Sequence, residues 1–205
     1  MKIHLHQRDL PDDLSFAGVE AVAVDSETMG LLPIRDRLCL VQLSAGDGVC
    51  HLVQVAPGQT EAPNLKRLME DPKIVKLFHY ARFDIAVLRH GLGIETTPLY
   101  CTKIVSKLVR TYTDRHGLKD LCRELLGVDM SKQQQSSDWG AETLTEAQLA
   151  YAASDVLHLH ELRVKLNAML DRIGRRKLAE DAFAFLPSRA ELDLLGWGEQ
   201  DIFSH

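Results

Sequence analysis

No apolar run in the sequence approaches the roughly 20 residues that a membrane-spanning helix needs, so a helical membrane span is not expected. The opening segment MKIHLHQRDLPDD has no apolar stretch of the secretory kind, which points to a cytoplasmic protein. The four cysteines, Cys39, Cys50, Cys101 and Cys122, form no Cys-x-x-Cys pair. That argues against a structural zinc site and suits a reducing compartment. Positive charge is not in excess: 24 Lys and Arg against 29 Asp and Glu leave a net charge of −5. A protein that coats long nucleic acid by neutralising phosphates would carry the opposite balance. A short substrate needs only a local basic patch, and carboxylates that hold cations raise the acidic count. Repeats and low-complexity tracts are also missing.

What is present reads as one α/β domain spanning residues 1–205, a length sufficient for a sizeable core. GVEAVAVDSE (18–27) is an apolar strand ending in acids. RLCLVQLSAG (37–46) and GVCHLVQVAPG (48–58) flank Gly46-Asp47-Gly48, a hairpin signal. Helices are expected over 63–71, 81–91, 102–110 and 116–128, with strands at 74–79 and near Leu99. Thr145 with Gln148 forms a capping box for a long helix from Glu146 to about Leu170. The order predicts a mixed central sheet flanked by helices. The tail at 186–205 carries Leu192, Leu194, Leu195, Trp197, Ile202 and Phe203 beyond the last helix, and must pack on something.

Three constellations carry chemistry. Asp25 and Glu27 are two apart on a strand and face the same way, so their repulsion calls for a cation between them. Asp84 lies in an apolar helix, Phe83-Asp84-Ile85-Ala86-Val87-Leu88. Tyr151 and Asp155 are i, i+4 and share a helical face. Taken singly, each has a plainer explanation: a solvated strand end, a solvated flank, a core tyrosine with a bonded hydroxyl. Two histidine pairs offer less. His158 and His160, two apart on a helix, point about 200° from each other. His4 and His6 would share a face were they on a strand, but no acid or cysteine accompanies them.

Together, D-x-E on a strand, D on a helix and Y-x-x-x-D on a later helix resemble the tyrosine-bearing branch of the DEDD exonuclease superfamily, ribonuclease D most of all. HYARFD (79–84) is similar to its second motif, and SKQQQSSDW followed by AYAASDVLHL to its third. DRLCLVQLSAGDG, CTKIVSKLVRTYTDRHGLK and LDLLGWGEQDIF extend the resemblance to the nanoRNase C family over nearly the whole chain. The resemblance implies a ribonuclease H-like fold and 3′→5′ exoribonuclease activity suited to very short single-stranded RNA, possibly DNA. It also implies a homo-octameric ring, with the tail at 186–205 packing at a subunit contact.

Asp25, Glu27, Asp84 and Asp155 are then the ligands of two divalent cations, Mg²⁺ or Mn²⁺, as all-oxygen donors favour. Tyr151 completes the catalytic set by orienting the attacking water. Its phenol, with an ordinary pKa of about 10, is a poor base. Ser26 departs from the threonine of many relatives, with little effect expected. The expected substrate contacts are Met29, Gly30 and Leu31, with Leu31 at the position of a wedge between bases; His79 and Tyr80, stacking on a base or bonding a phosphate; and Lys132, Gln133, Gln134, Gln135 and Ser136, touching the backbone. Arg110, Arg115, His116 and Lys119 form a candidate basic cluster. Ribonuclease D processing of longer RNA or DNA ends is one alternative. A non-catalytic RNA-binding module is another, but four unneutralised acids would repel RNA.

Overall fold

A computed structural model describes residues 2–131 and 133–205. Six strands form one mixed sheet: β1 (Lys2–Gln7), β2 (Ala21–Thr28), β3 (Leu38–Ser44), β4 (Val49–Gln54), β5 (Val75–Phe78) and β6 (Leu99–Cys101), in spatial order β1-β4-β3-β2-β5-β6. The meander β2-β3-β4 is antiparallel, as the turn at 46–48 requires, while β1 joins β4, and β5 and β6 extend from β2, in parallel. The expected α/β class, a mixed sheet between helices, is the one observed.

The helices are α1 (Pro63–Met69), α2 (Ala81–Leu92), α3 (Thr102–Val109), α4 (Leu118–Leu121, running on as a π-helical turn through Cys122–Leu126), α5 (Glu146–Leu157), α6 (Leu159–Arg172) and α7 (Arg176–Leu194). Each sheet face is covered, so strand residues of both parities are buried. Val22, Val24, Val41 and Leu43 pack with Ile85, Ala86 and Leu88 of α2. Ala21, Ala23, Leu40 and Leu52 pack with Ala152, Ala153 and Val156 of α5 and Leu162 of α6. This two-sided burial explains why β3 is buried at all seven positions although its sequence includes Gln42 and Ser44.

Three expectations change. KIHLHQ forms strand β1, which the alternation of histidine with apolar residues did not announce. The long helix after Thr145 divides at His158 into α5 and α6, though its capping box is present as read. Residues 186–194, expected beyond the last helix, belong to α7, which continues through Pro187. Leu186 and Ala190 bury against the α2 side of the core, and this tertiary packing offsets the hydrogen bond that a proline removes. Only residues beyond Leu194 form a tail in the strict sense.

Candidate active site

The site lies where the C-terminal end of β2 meets the two helical layers. Strand alternation turns Asp25 and Glu27 toward α5, and α5 presents Tyr151 and Asp155 from successive turns. Carboxylate oxygens of Asp25, Glu27 and Asp155 lie within 4.8 Å of one another. Asp84 arrives from α2, in the opposite layer, and is 2% exposed. Ser26, facing away from its two acidic neighbours, donates a 2.7 Å hydrogen bond to Asp84 Oδ1. The position where little effect was expected therefore anchors the fourth acid.

Burial, then the charges of Asp84, Asp155 and Glu27, hold the Asp25 carboxyl well above the ordinary carboxylate range. Burial and the charges of Asp155 and Asp84 push Glu27 up to about 9. Burial raises Asp84 to about 7 against the hydrogen bond from Ser26. It raises Asp155 to about 7 as well, opposed by the Tyr151 hydroxyl. Crowded acids that resist ionisation are what a divalent cation relieves, so the donor set fits Mg²⁺ or Mn²⁺. Burial and the neighbouring carboxylates also raise the Tyr151 phenol above its usual value, which keeps its proton in place at neutral pH. Trp139, 3% exposed, supports that ring with centroids 6.1 Å apart. Arg37, Gln54 and Gln148 fasten the Trp139 loop through the carbonyls of Gly140, Ala141, Glu142 and Asp138.

Asp25, Glu27, Tyr151 and Asp155 line a cavity of about 310 Å³ together with His79, Tyr80, Lys103, Lys119, Ser131 and Gln135, among others. Acids and two lysines line it together, a combination that suits a cation and a phosphodiester. Lys103 Nζ stands 4.4 Å from the centre of the Tyr80 ring, and that ring is 48% exposed. His79 Nδ1 shares a 2.9 Å hydrogen bond with Thr102 Oγ1. Burial and nearby Lys103 depress its pKa to about 3, so it is neutral. A neutral imidazole is a weaker phosphate ligand than the sequence reading allowed.

The remaining expected contacts divide. Leu31 is 83% exposed and so is not a core leucine. It stands at the tip of a loop closed by Met29 N to Arg37 O and by Leu32 N to Asp36 Oδ2. A side chain at Gly30 would collide with Asp36, its ideal Cβ falling 2.3 Å from Oδ2. Met29, Gly30 and Leu31 are not among the cavity-lining residues. Gln133 and Gln134 border a separate depression behind Tyr151, and Ser136 lines neither. Lys132 lies outside the described residues. The expected basic cluster is not one exposed patch: Arg110 is fully buried, paired with Glu124 and bonded to the Arg115 carbonyl and to Ser106, which also bonds His116, while the Arg115 residue is exposed and Lys119 lines the cavity. Sequence reading gave no role to Lys103 or Ser131, although both lie in stretches that carry the family resemblance. His4 and His6 do share a face, where His51 joins them. His160 instead bonds the Ser44 carbonyl from α6.

The 3′–5′ exonuclease family matches residues 10–171. A ribonuclease D from Gluconacetobacter diazotrophicus is 38% identical over 75% of this chain. The chain spans 39% of that relative's length, and comparable shares of the other ribonucleases D it matches. Among solved structures, Brucella melitensis NrnC with bound Mg²⁺ is 57% identical, with a TM-score of 0.95 and full coverage of both chains. Brucella melitensis NrnC bound to pGG is 58% identical, with a TM-score of 0.96, and the match covers 100% of this chain and 99% of that one. Escherichia coli RNase D is 29% identical, with a TM-score of 0.75, over 84% of this chain and 45% of that one. The chain belongs to the 3′–5′ exonuclease family, as a ribonuclease D-like exoribonuclease of the NrnC type.

Proposed function

We propose that the chain removes nucleotides from RNA 3′ ends, favours very short substrates such as dinucleotides, and hydrolyses the phosphodiester with two divalent cations, Mg²⁺ or Mn²⁺. The observation that carries this reading is the convergence of Asp25, Glu27 and Asp155 beside Tyr151, with Asp84 beneath. Asp25, Glu27 and Asp155 would hold one cation, and Asp25 with Asp84 the other, Asp84 directly or through water. Bound there, the pair lowers the pKa of water and relieves charge on the leaving oxygen.

The chain's own groups supply position. Tyr151 keeps its proton and orients the water by hydrogen bonding. Lys103 and Lys119 face the substrate phosphates across the cavity. Tyr80 offers a ring face to a base, and Leu31, projecting from its loop, separates the last two bases. Gln135 and Ser131 contact the substrate backbone. The occupancy of NrnC by pGG, in a protein 58% identical to this one, supports the dinucleotide reading.

The assembly belongs to the same proposal. Leu195, Trp197, Ile202 and Phe203 remain exposed after the tail folds over its own domain. A group of that kind on a lone domain favours burial against another copy. We therefore place the tail at a subunit contact of a closed ring, an octamer, which narrows access to each cavity. Among the described residues no helix is long and apolar enough to cross a membrane, in keeping with work in the cytoplasm.

A competition time course tests the reading, with pGG and a longer 5′-labelled RNA mixed in Mg²⁺, in Mn²⁺ and in EDTA. Hydrolysis of pGG ahead of the longer strand, abolished by EDTA, is expected. Equal rates would remove the length preference, and hydrolysis in EDTA would remove the metals.

A further inference from the structure

Gln42 is fully buried, and neither end of its amide has a hydrogen-bond partner among the described residues. Buried polar groups are overwhelmingly paired, so an amide orphaned at both ends calls for an explanation. Its place in the sheet supplies one. In the antiparallel register Gln42 stands directly opposite Asp25 on β2 and directly opposite Leu52 on β4. Directly opposed residues of neighbouring strands project to the same face, their Cβ atoms about 4.5–5.5 Å apart. On that face the neighbours of Gln42 are apolar: Leu40 two residues before it, Leu52 beside it, and Ala152, Ala153 and Val156 of α5 in the same cluster. A leucine or methionine would fill this position without an unpaired amide. Gln54, the amide on the neighbouring row, bonds the carbonyls of Ala141 and Glu142, whereas Gln42, on the row that ends at Asp25, is left without a partner among the described residues.

We infer that Gln42 is a positioning residue for Asp25, its amide N–H donating to the Asp25 carboxylate when that carboxylate holds a cation. This rests on the reading of Asp25 as a metal ligand. The logic is electrostatic. A neutral donor beside Asp25 holds that side chain in place without adding a positive charge that would compete with the metal. It also fixes the carboxylate plane, as partners behind metal ligands do. Ser26 plays the equivalent part for Asp84 from the other face of the same strand.

The test is Gln42→Met, which keeps length and removes the amide, compared with wild type in two measurements. Mn²⁺ affinity by calorimetry is expected to fall roughly 10- to 100-fold. Melting in EDTA is expected to be no lower than wild type, because the variant buries one orphaned amide fewer. Undiminished Mn²⁺ affinity in Gln42→Met overturns the inference, as does a lower melting temperature in EDTA with affinity intact, which marks a purely structural glutamine. Should Gln42→Met not fold, Gln42→Leu is measured in the same way and judged by the same outcomes. Wild-type protein that binds no Mn²⁺ would instead overturn the metal-site reading, and this inference with it.

Discussion

Ser26 and Asp84 are joined by a 2.7 Å hydrogen bond that links the end of β2 to the first turn of α2. The two residues are 58 apart in sequence and lie in different layers. Because Ser26 separates Asp25 from Glu27, one strand segment carries two acids on one face and the tether of a third on the other. Ser26→Ala is expected to lower hydrolysis of pGG about 10- to 100-fold, as loss of a partner behind a metal ligand does. Ser26→Thr, which keeps the hydroxyl, is expected to stay near wild type. Equal activity of the alanine variant and wild type would show that the tether does nothing for Asp84.

Tyr151→Phe removes the hydroxyl and leaves the ring against Trp139. Mn²⁺ binding measured by calorimetry is expected to persist, while turnover falls by about 10²- to 10⁴-fold, the range for a side chain positioned on the reacting water or its proton. Turnover within about twofold of wild type at saturating metal would rule out a role for the hydroxyl in orienting the water.

Leu31→Ala tests the loop tip. With 83% of the side chain exposed, truncation is expected to leave the melting temperature within a degree or two of wild type, as surface changes usually do. The KM for pGG is expected to rise. A lower melting temperature with unchanged KM would return Leu31 to a structural role.

Acid sensitivity should trace partly to the far edge of the sheet. His4, His6 and His51 stack there, and His6 Nε2 lies 3.0 Å from His51 Nδ1. Burial and then the neighbouring imidazole lower the pKa of His6, and burial with His6 and His4 lowers that of His51, partly countered by Asp47. A histidine whose folded pKa lies below its unfolded value binds protons more readily when unfolded. The stability tied to it is thus complete above about pH 6.5 and is lost as pH falls below that. Melting curves of wild type and His51→Gln should converge as the pH falls from about 7.5 to about 5. A gap that stays constant across that range would place the acid sensitivity elsewhere.

Much of the site was legible because its acids sit on regular elements. Asp25 and Glu27 follow the period of a strand, and Tyr151 and Asp155 the period of a helix. What could not be read was the company those residues keep. Nothing in SKQQQSSDW showed that Trp139 would be buried against Tyr151 while Gln133 and Gln134 lined a different depression. Arg110 looked like surface charge because a buried guanidinium is rare, and only the fold supplies Ser106, Glu124 and the Arg115 carbonyl around it. β1 escaped notice because its alternation places histidines where apolar residues normally mark a buried face. α7 escaped because a proline usually ends a helix, and its tolerance depends on packing against α2.

The clamp between α2 and α7 has a practical consequence. Arg82, two residues before Asp84, makes a bidentate pair with Asp193 and also bonds the Gly198 carbonyl, while Arg189 shares Asp193 and holds the Trp197 carbonyl. A purification tag or fusion partner attached after His205 therefore pulls on the strut that holds the Asp84 helix. One attached before β1 acts at the opposite edge of the sheet, with β4 and β3 between it and Asp25. Amino-terminal fusions are therefore expected to disturb the Asp84 helix less, whereas attachment through the carboxyl end is expected to lower activity through that helix as well as through the proposed subunit contact.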